Sequence, residues 1–240
     1  AATSSDMLTA IEAPEEEPRA KAAEPSPHEI AARRNALGVA LGKQGNYAAA
    51  VKEFQAAVEA VPNSPSLHLN LGIALAHVGR DEKAQEEFRR ALELDGKSGP
   101  ALVALGSFLL RSGRKDEAGQ LFKRCSQLND KSFHAVYSLF LLQTNQTEAA
   151  IAEMQRLYRA DPEDREARNR LVATYLRLGQ REAAEKILTE ALARNAKDVD
   201  ALLQRGELLV RAGRSNDAQK DVNQALQFRP DSAQAHLLLS

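Results

Sequence analysis

The residues able to do chemistry in this chain of 240 amino acids are few. They are five histidines (His28, His68, His77, His134 and His236), a single cysteine (Cys125), and acid pairs such as Glu86-Glu87 and Asp116-Glu117. A metal site needs several of these side chains to converge on one point. A covalent mechanism needs a nucleophile with a base in hydrogen-bond reach. Neither pattern assembles: the histidines are far apart, Cys125 has no histidine at a matching spacing, and the acid pairs fall where a solvated helix face accounts for them. No glycine cluster has the form of a phosphate-cradling loop. The expectation is a protein without catalytic residues, metal or cofactor.

Composition narrows the remaining classes. Hydrophobic residues at 43% and charged residues at 27% are ordinary for a folded globular chain. A net charge of −1 lacks the basic surplus of a nucleic-acid binder, and the absence of tryptophan with only 5% aromatics leaves little to stack on bases. No apolar run approaches the roughly 18 residues of a membrane span. One cysteine excludes an internal disulfide framework and leaves the redox compartment open.

What must position any functional residue is a repeated unit. Ala50, Ala84, Ala118, Ala150, Ala184 and Ala218 stand 34, 34, 32, 34 and 34 residues apart. Five residues before each is a turn former: Gly45, Gly79, Gly113, Asn145, Gly179 and Gly213. Four residues after each is a larger apolar residue: Phe54, Phe88, Phe122, Met154, Leu188 and Val222. Upstream, pairs such as Leu37-Gly38, Leu71-Gly72 and Leu105-Gly106 precede Leu41, Leu75 and Leu109 by helical spacing. Each unit therefore reads as a helix, a tight turn ended by a left-handed residue, and an antiparallel helix. The 32-residue step predicts a tighter loop near residues 129–132.

This pattern resembles the tetratricopeptide repeat family, whose W-x2-L-G-x2-Y…A-x3-F…P signature is matched in the first repeat by Leu37, Gly38, Leu41, Ala50, Phe54 and Pro62. The resemblance covers residues 31–232 and implies an all-α, right-handed superhelical solenoid of antiparallel helix pairs with a concave inner wall. The family's tryptophan position holds Arg34, His68, Leu102, His134, Arg168 and Leu202, so three histidines occupy or continue a packing position, His236 being the third. The family's function is to bind proteins or peptides rather than to catalyse.

The resemblance also implies which residues face inward: positions 2, 5, 9, 12 and 13 of repeats beginning at 31, 65, 99, 131, 165 and 199. On that register the candidate peptide-binding residues are Asn35, Val39, Leu69, Ile73, His77, Val103, Ser107, Leu110, Leu139, Leu142, Asn169, Arg177 and Glu207. The wall of repeats one to four is aliphatic, whereas repeats five and six are expected to turn polar. Lys43, His77, Arg111, Arg177 and Arg211 form a cationic series at first-helix ends, where a cation also suits the helix dipole. Members that grip a chaperone's C-terminal carboxylate use Lys and Asn in the first repeat, Asn in the second, and Lys and Arg in the third. Here those positions are Asn35, Val39, Asn70, Pro100 and Ala104, so only Asn70 matches.

Outside the six pairs (28–232), residues 1–27 form an Ala/Pro/Glu-rich leader in which Met7, Leu8 and Ile11 share helical spacing and could dock on the groove. Residues 233–240 read as the start of a seventh repeat. The leading function is a scaffold taking a peptide or amphipathic helix in the groove. Rival readings are an assembly module, such as a homodimer through the C-terminal edge, and the regulatory segment of a larger enzyme. The compartment is unknown, although the opening Ala1 and the leader fit a bacterial envelope role.

Overall fold

The computed structural model describes residues 24–239. Among them are thirteen α-helices: α1 (Pro27–Lys43), α2 (Tyr47–Ala60), α3 (Pro65–His77), α4 (Asp81–Leu94), α5 (Gly99–Arg111), α6 (Lys115–Ser126), α7 (Val136–Gln143), α8 (Thr147–Ala160), α9 (Arg165–Arg177), α10 (Arg181–Arg194), α11 (Val199–Arg211), α12 (Ser215–Phe228) and α13 (Ala233–Leu239). They stack as antiparallel pairs into a right-handed superhelical solenoid, each helix packing mainly on its sequence neighbours.

Local chemistry sets the helix boundaries. Ser26 and Glu29 close a reciprocal capping box before α1, with Pro27 at its first position. Ser98, Asp164 and Asp198 accept from the N–H three residues on and so start α5, α9 and α11. Each first helix ends alike. The residue at the turn position has positive φ, from 73° to 79° for the five glycines and 61° for Asn145. The next N–H then reaches back to the same carbonyl in all six repeats, as in Arg80 N to Leu75 O at 3.0 Å and Gln180 N to Tyr175 O at 2.8 Å.

The alanine ruler marks the helix crossings: Ala50, Ala84, Ala118, Ala150 and Ala184 are fully buried. Large and small residues interlock beside them. A Cβ added to Gly72 would sit 2.7 Å from the Phe88 ring, which is why the first helix carries glycine where the second carries phenylalanine. The core has two large clusters, one running from Ala50 to Ala150 and another from Met154 to Ala235, with the half-buried Leu142 packing on both, and a small third one of Ala31, Ala57 and Leu67.

The short repeat differs from the sequence expectation. Four residues separate α6 from the next element, as between α4 and α5, so the loop is not tightened. Instead α6 has 12 residues where α4 has 14, and α7 has 8 where α5 has 13. The Asp130 carboxylate accepts from both Ser132 N (2.9 Å) and Ser132 Oγ (2.7 Å), holding Lys131–Phe133 as a 3-10 turn. Helix α7 starts only after that turn.

Candidate interaction surface

First helices meet one another directly, α1 with α3, α3 with α5, and α11 with α13, whereas no successive second helices approach as closely. The first helices therefore form the tighter, inner side of the bend. Side-chain amides stitch this side: Asn70 Nδ2 donates to Asn35 Oδ1 at 2.8 Å, and Gln204 Nε2 donates to Asn169 Oδ1 at 3.1 Å. Asn35 and Asn169, expected to select a ligand, are thus already engaged between repeats.

Above each amide pair lies a recess of the same construction. Between repeats one and two, a cavity of about 300 Å³ is walled by Val39, Gly42, Asn70, Ile73, Ala74 and His77, with Lys43 and Tyr47 at its side. Tyr47 stacks flat on His77, with ring centroids 3.9 Å apart. Between repeats five and six, a cavity of about 210 Å³ is walled by the equivalent residues Ala173, Leu176, Gln204, Glu207, Leu208 and Arg211, together with Asn169 and Val172. Glu207 accepts from Arg211 at 2.6 Å.

The expected aliphatic strip is present but unequally open. Val39, Ile73 and Leu139 are exposed, the last at 51%. Leu69, Val103, Leu110 and Leu142 are half-buried and pack against the core, which lowers what they can offer a ligand. Ser107 and Asn169 are half-buried and Arg177 is exposed. The expectation that repeats five and six turn polar needs correction. At position 12 of the register stand Leu110, Leu142, Leu176 and Val210, and the last two are exposed at 37% and 42%. An aliphatic row therefore continues through the C-terminal repeats, one residue before the charged series. Leu176 and Val210 were missing from the sequence-based set although the register already held position 12, and Gln204 and Leu208 lie at positions outside that register.

The candidate chemical residues have structural partners. His68 is buried, with Nδ1 2.6 Å from Glu87 Oε2 and Nε2 2.8 Å from Pro62 O. His134 and His236 reach the carbonyl six residues upstream in the same way, at 2.8 and 2.9 Å. The histidines of this register position thus tie the first helix to the end of the preceding one. Cys125 is fully buried, which pushes its thiol pKa up and disfavours the nucleophilic thiolate. Among the described residues no three His, Cys, Asp or Glu side chains are placed to share a metal, and no helix is long and apolar enough to cross a membrane. The leader residues Met7, Leu8 and Ile11 lie outside the described residues.

Profiles of the tetratricopeptide repeat match residues 35–99, 82–125, 141–205 and 203–240. No curated protein matches the chain. Among solved structures, PilF of Pseudomonas aeruginosa is 20% identical over 89% of this chain and 98% of its own, with a TM-score of 0.54. A tetratricopeptide repeat protein of Parabacteroides merdae is 16% identical over 88% and 84%, with a TM-score of 0.50. At these identities the likeness is one of fold.

Proposed function

The chain belongs to the tetratricopeptide repeat family, whose members generally serve as non-catalytic protein-interaction scaffolds, and from that premise we propose that its inner wall binds a peptide or an amphipathic helix. The observation that carries this reading is the aliphatic surface left open on the first helices. Val39, Ile73, Leu139, Leu176 and Val210 are each more than a third exposed. Exposed apolar residues in a contiguous row mark an interaction surface more often than a folding defect. The recesses between repeats one and two and between five and six supply places for anchoring side chains.

The test is capture of partners by the full chain from lysate of its source, read by mass spectrometry. It uses the double variant Ile73→Asp/Leu139→Asp and, as control, Glu86→Lys/Glu182→Lys on second helices. Partners lost with the first variant and kept by the second support the groove. Partners kept by the first variant, with helicity unchanged by circular dichroism, refute it. A second reading has its own observation: Phe228, Leu237 and Leu239 are exposed at the C-terminal edge. If that edge builds a homodimer, sedimentation velocity will show a concentration-dependent dimer that Leu237→Glu/Leu239→Glu dissociates.

A further inference from the structure

The charged residues beside the aliphatic row specify its ligand further. The last turns of the first helices of repeats three to six, α5, α7, α9 and α11, end with an aliphatic residue followed by a polar one: Leu110-Arg111, Leu142-Gln143, Leu176-Arg177 and Val210-Arg211. The cations Arg111, Arg177 and Arg211 are exposed. Arg111 and Arg177 make no ion pair among the described residues. Arg211 pairs with Glu207, but both side chains are substantially exposed, at 66% and 40%, so that pair is readily exchanged. Glu207 is the only carboxylate in or beside these last turns; elsewhere they carry none.

The helix dipole favours a cation at such a position and explains the residue type. It does not explain why these charges stand beside aliphatic side chains that stay exposed, as Leu176 and Val210 do, on a protein whose net charge is −1. Some surface cations elsewhere find acids within a turn, as in Arg114–Glu117 and Arg156–Glu153, while others, such as Lys52 and Lys83, make no ion pair among the described residues.

We propose that the inner wall of repeats three to six takes an acidic amphipathic helix, reading its aliphatic stripe with Leu110, Leu142, Leu176 and Val210 and its carboxylates with Arg111, Arg177 and Arg211. This rests on the groove reading above and deepens it by naming the ligand's chemistry. The pattern recurs once per repeat: α5, α7, α9 and α11 each carry the aliphatic residue, and all but α7 follow it with arginine. A ligand helix rising 1.5 Å per residue returns the same face after about seven residues, or roughly 10 Å. The carboxylates recognised are internal side chains rather than a chain terminus, because of the five positions that would grip a terminal carboxylate, Asn35, Val39, Asn70, Pro100 and Ala104, only Asn70 matches.

The experiment is fluorescence anisotropy of the full chain with a C-terminally amidated peptide of about three heptads carrying Leu and Glu at seven-residue spacing. A Leu/Lys peptide of the same pattern and a single-stranded oligonucleotide are the comparators. The expected result is binding of the Leu/Glu peptide that weakens with salt, and no comparable binding of Leu/Lys. The variant Arg111→Glu/Arg177→Glu/Arg211→Glu should lose about tenfold in affinity for Leu/Glu, given three exposed charge pairs, and gain affinity for Leu/Lys. Equal binding of both peptides overturns the charge assignment while leaving the apolar groove standing. Loss of Leu/Glu binding in Leu176→Asp/Val210→Asp, with the arginine variant unaffected, does the same. Binding of neither peptide, or displacement of Leu/Glu by the oligonucleotide, overturns the proposal outright; the capture experiment then judges the groove reading separately.

Discussion

Asp198 offers the sharpest test of how the repeats are held together. It sits at the N-cap of α11, accepting from Ala201 N at 3.1 Å, while its other oxygen accepts from Arg168 Nη1 at 2.6 Å. Arg168, on α9 of the preceding repeat, is 2% exposed, and its Nε and Nη2 have no partner among the described residues. Removing the carboxylate leaves a buried guanidinium with nothing to neutralise it, a loss of about 3–5 kcal/mol. Asp198→Asn keeps the cap and should cost about that much. Asp198→Ala also loses the cap and should cost about 1 kcal/mol more. With a urea slope of about 3 kcal/mol/M, each variant moves the unfolding midpoint down by about 1 M or more. The double variant Arg168→Met/Asp198→Asn removes the stranded charge and should recover most of the loss. Burial alone would raise the Asp198 pKa, but hydrogen bonds from Arg168 and the Ala201 N–H, with the charges of Arg168 and Arg165, outweigh it and hold it below the ordinary carboxylate value. A depressed folded-state pKa contributes stability fully above the unfolded value near 3.9, lost as pH falls through the folded value. The gap between wild type and Asp198→Asn should therefore be constant near pH 7 and close below about pH 4. Urea midpoints read by circular dichroism across that range decide it. A loss under about 1 kcal/mol at neutral pH, or a gap that persists in acid, would refute the account.

Two further outcomes follow from the packing. Gly72→Ala should destabilise by about 1–3 kcal/mol, because the new methyl meets both the Phe88 ring at 2.7 Å and Ala84 O at 3.2 Å, outweighing alanine's better helix propensity. Thermal melts should show Phe88→Leu restoring part of that loss in the double variant, and an unchanged midpoint for Gly72→Ala alone would contradict the close approach. Leu142→Ala should loosen the joint between the two core clusters, since Leu142 packs on both. Hydrogen exchange read by mass spectrometry should then show α8–α12 opening separately from α1–α6, whereas uniform exchange across the array would count against the joint.

The architecture was legible because its determinants are periodic. An alanine every 34 residues is legible when each one lies at a helix crossing with no exposed surface, and the glycine or Asn145 five residues earlier is legible because only a left-handed residue closes that turn. Three things were not legible, for separate reasons. The step of 32 residues reveals that two are missing but not from where. They are missing from the end of α6, while the bonds from Ser132 to Asp130 hold the first turn of the next helix as 3-10. Half-burial of Leu69 and Val103 depends on how tightly successive first helices crowd, which no single repeat encodes. Finally, Arg177 and Arg211 drew attention from Leu176 and Val210. Neighbouring positions lie about 100° apart on a helix, so both border one face, and a charge at one says nothing against an aliphatic contact at the other.

That juxtaposition explains what repetition achieves here. A near-neutral total of −1 suggests a featureless surface, but the sum hides a division of labour between the two helices of each repeat. On second helices, opposite charges fall three residues apart and satisfy one another, as in Arg90–Glu93, Arg156–Glu153 and Lys220–Asp217. Such exposed pairs add little stability, yet they offset part of the charge on the outer side. On the inner side Lys43, Arg111 and Arg177 end their helices with no carboxylate partner among the described residues, beside side chains that water solvates poorly. One helix pair presenting one leucine and one arginine would bind nothing measurable, because each contact contributes about 1 kcal/mol or less against a much larger cost of association. Under the proposal, four first helices in register, three of them carrying the arginine, align these contacts on a wall fixed by buried alanines and interlocked phenylalanines before the ligand arrives, so that their sum can exceed that cost.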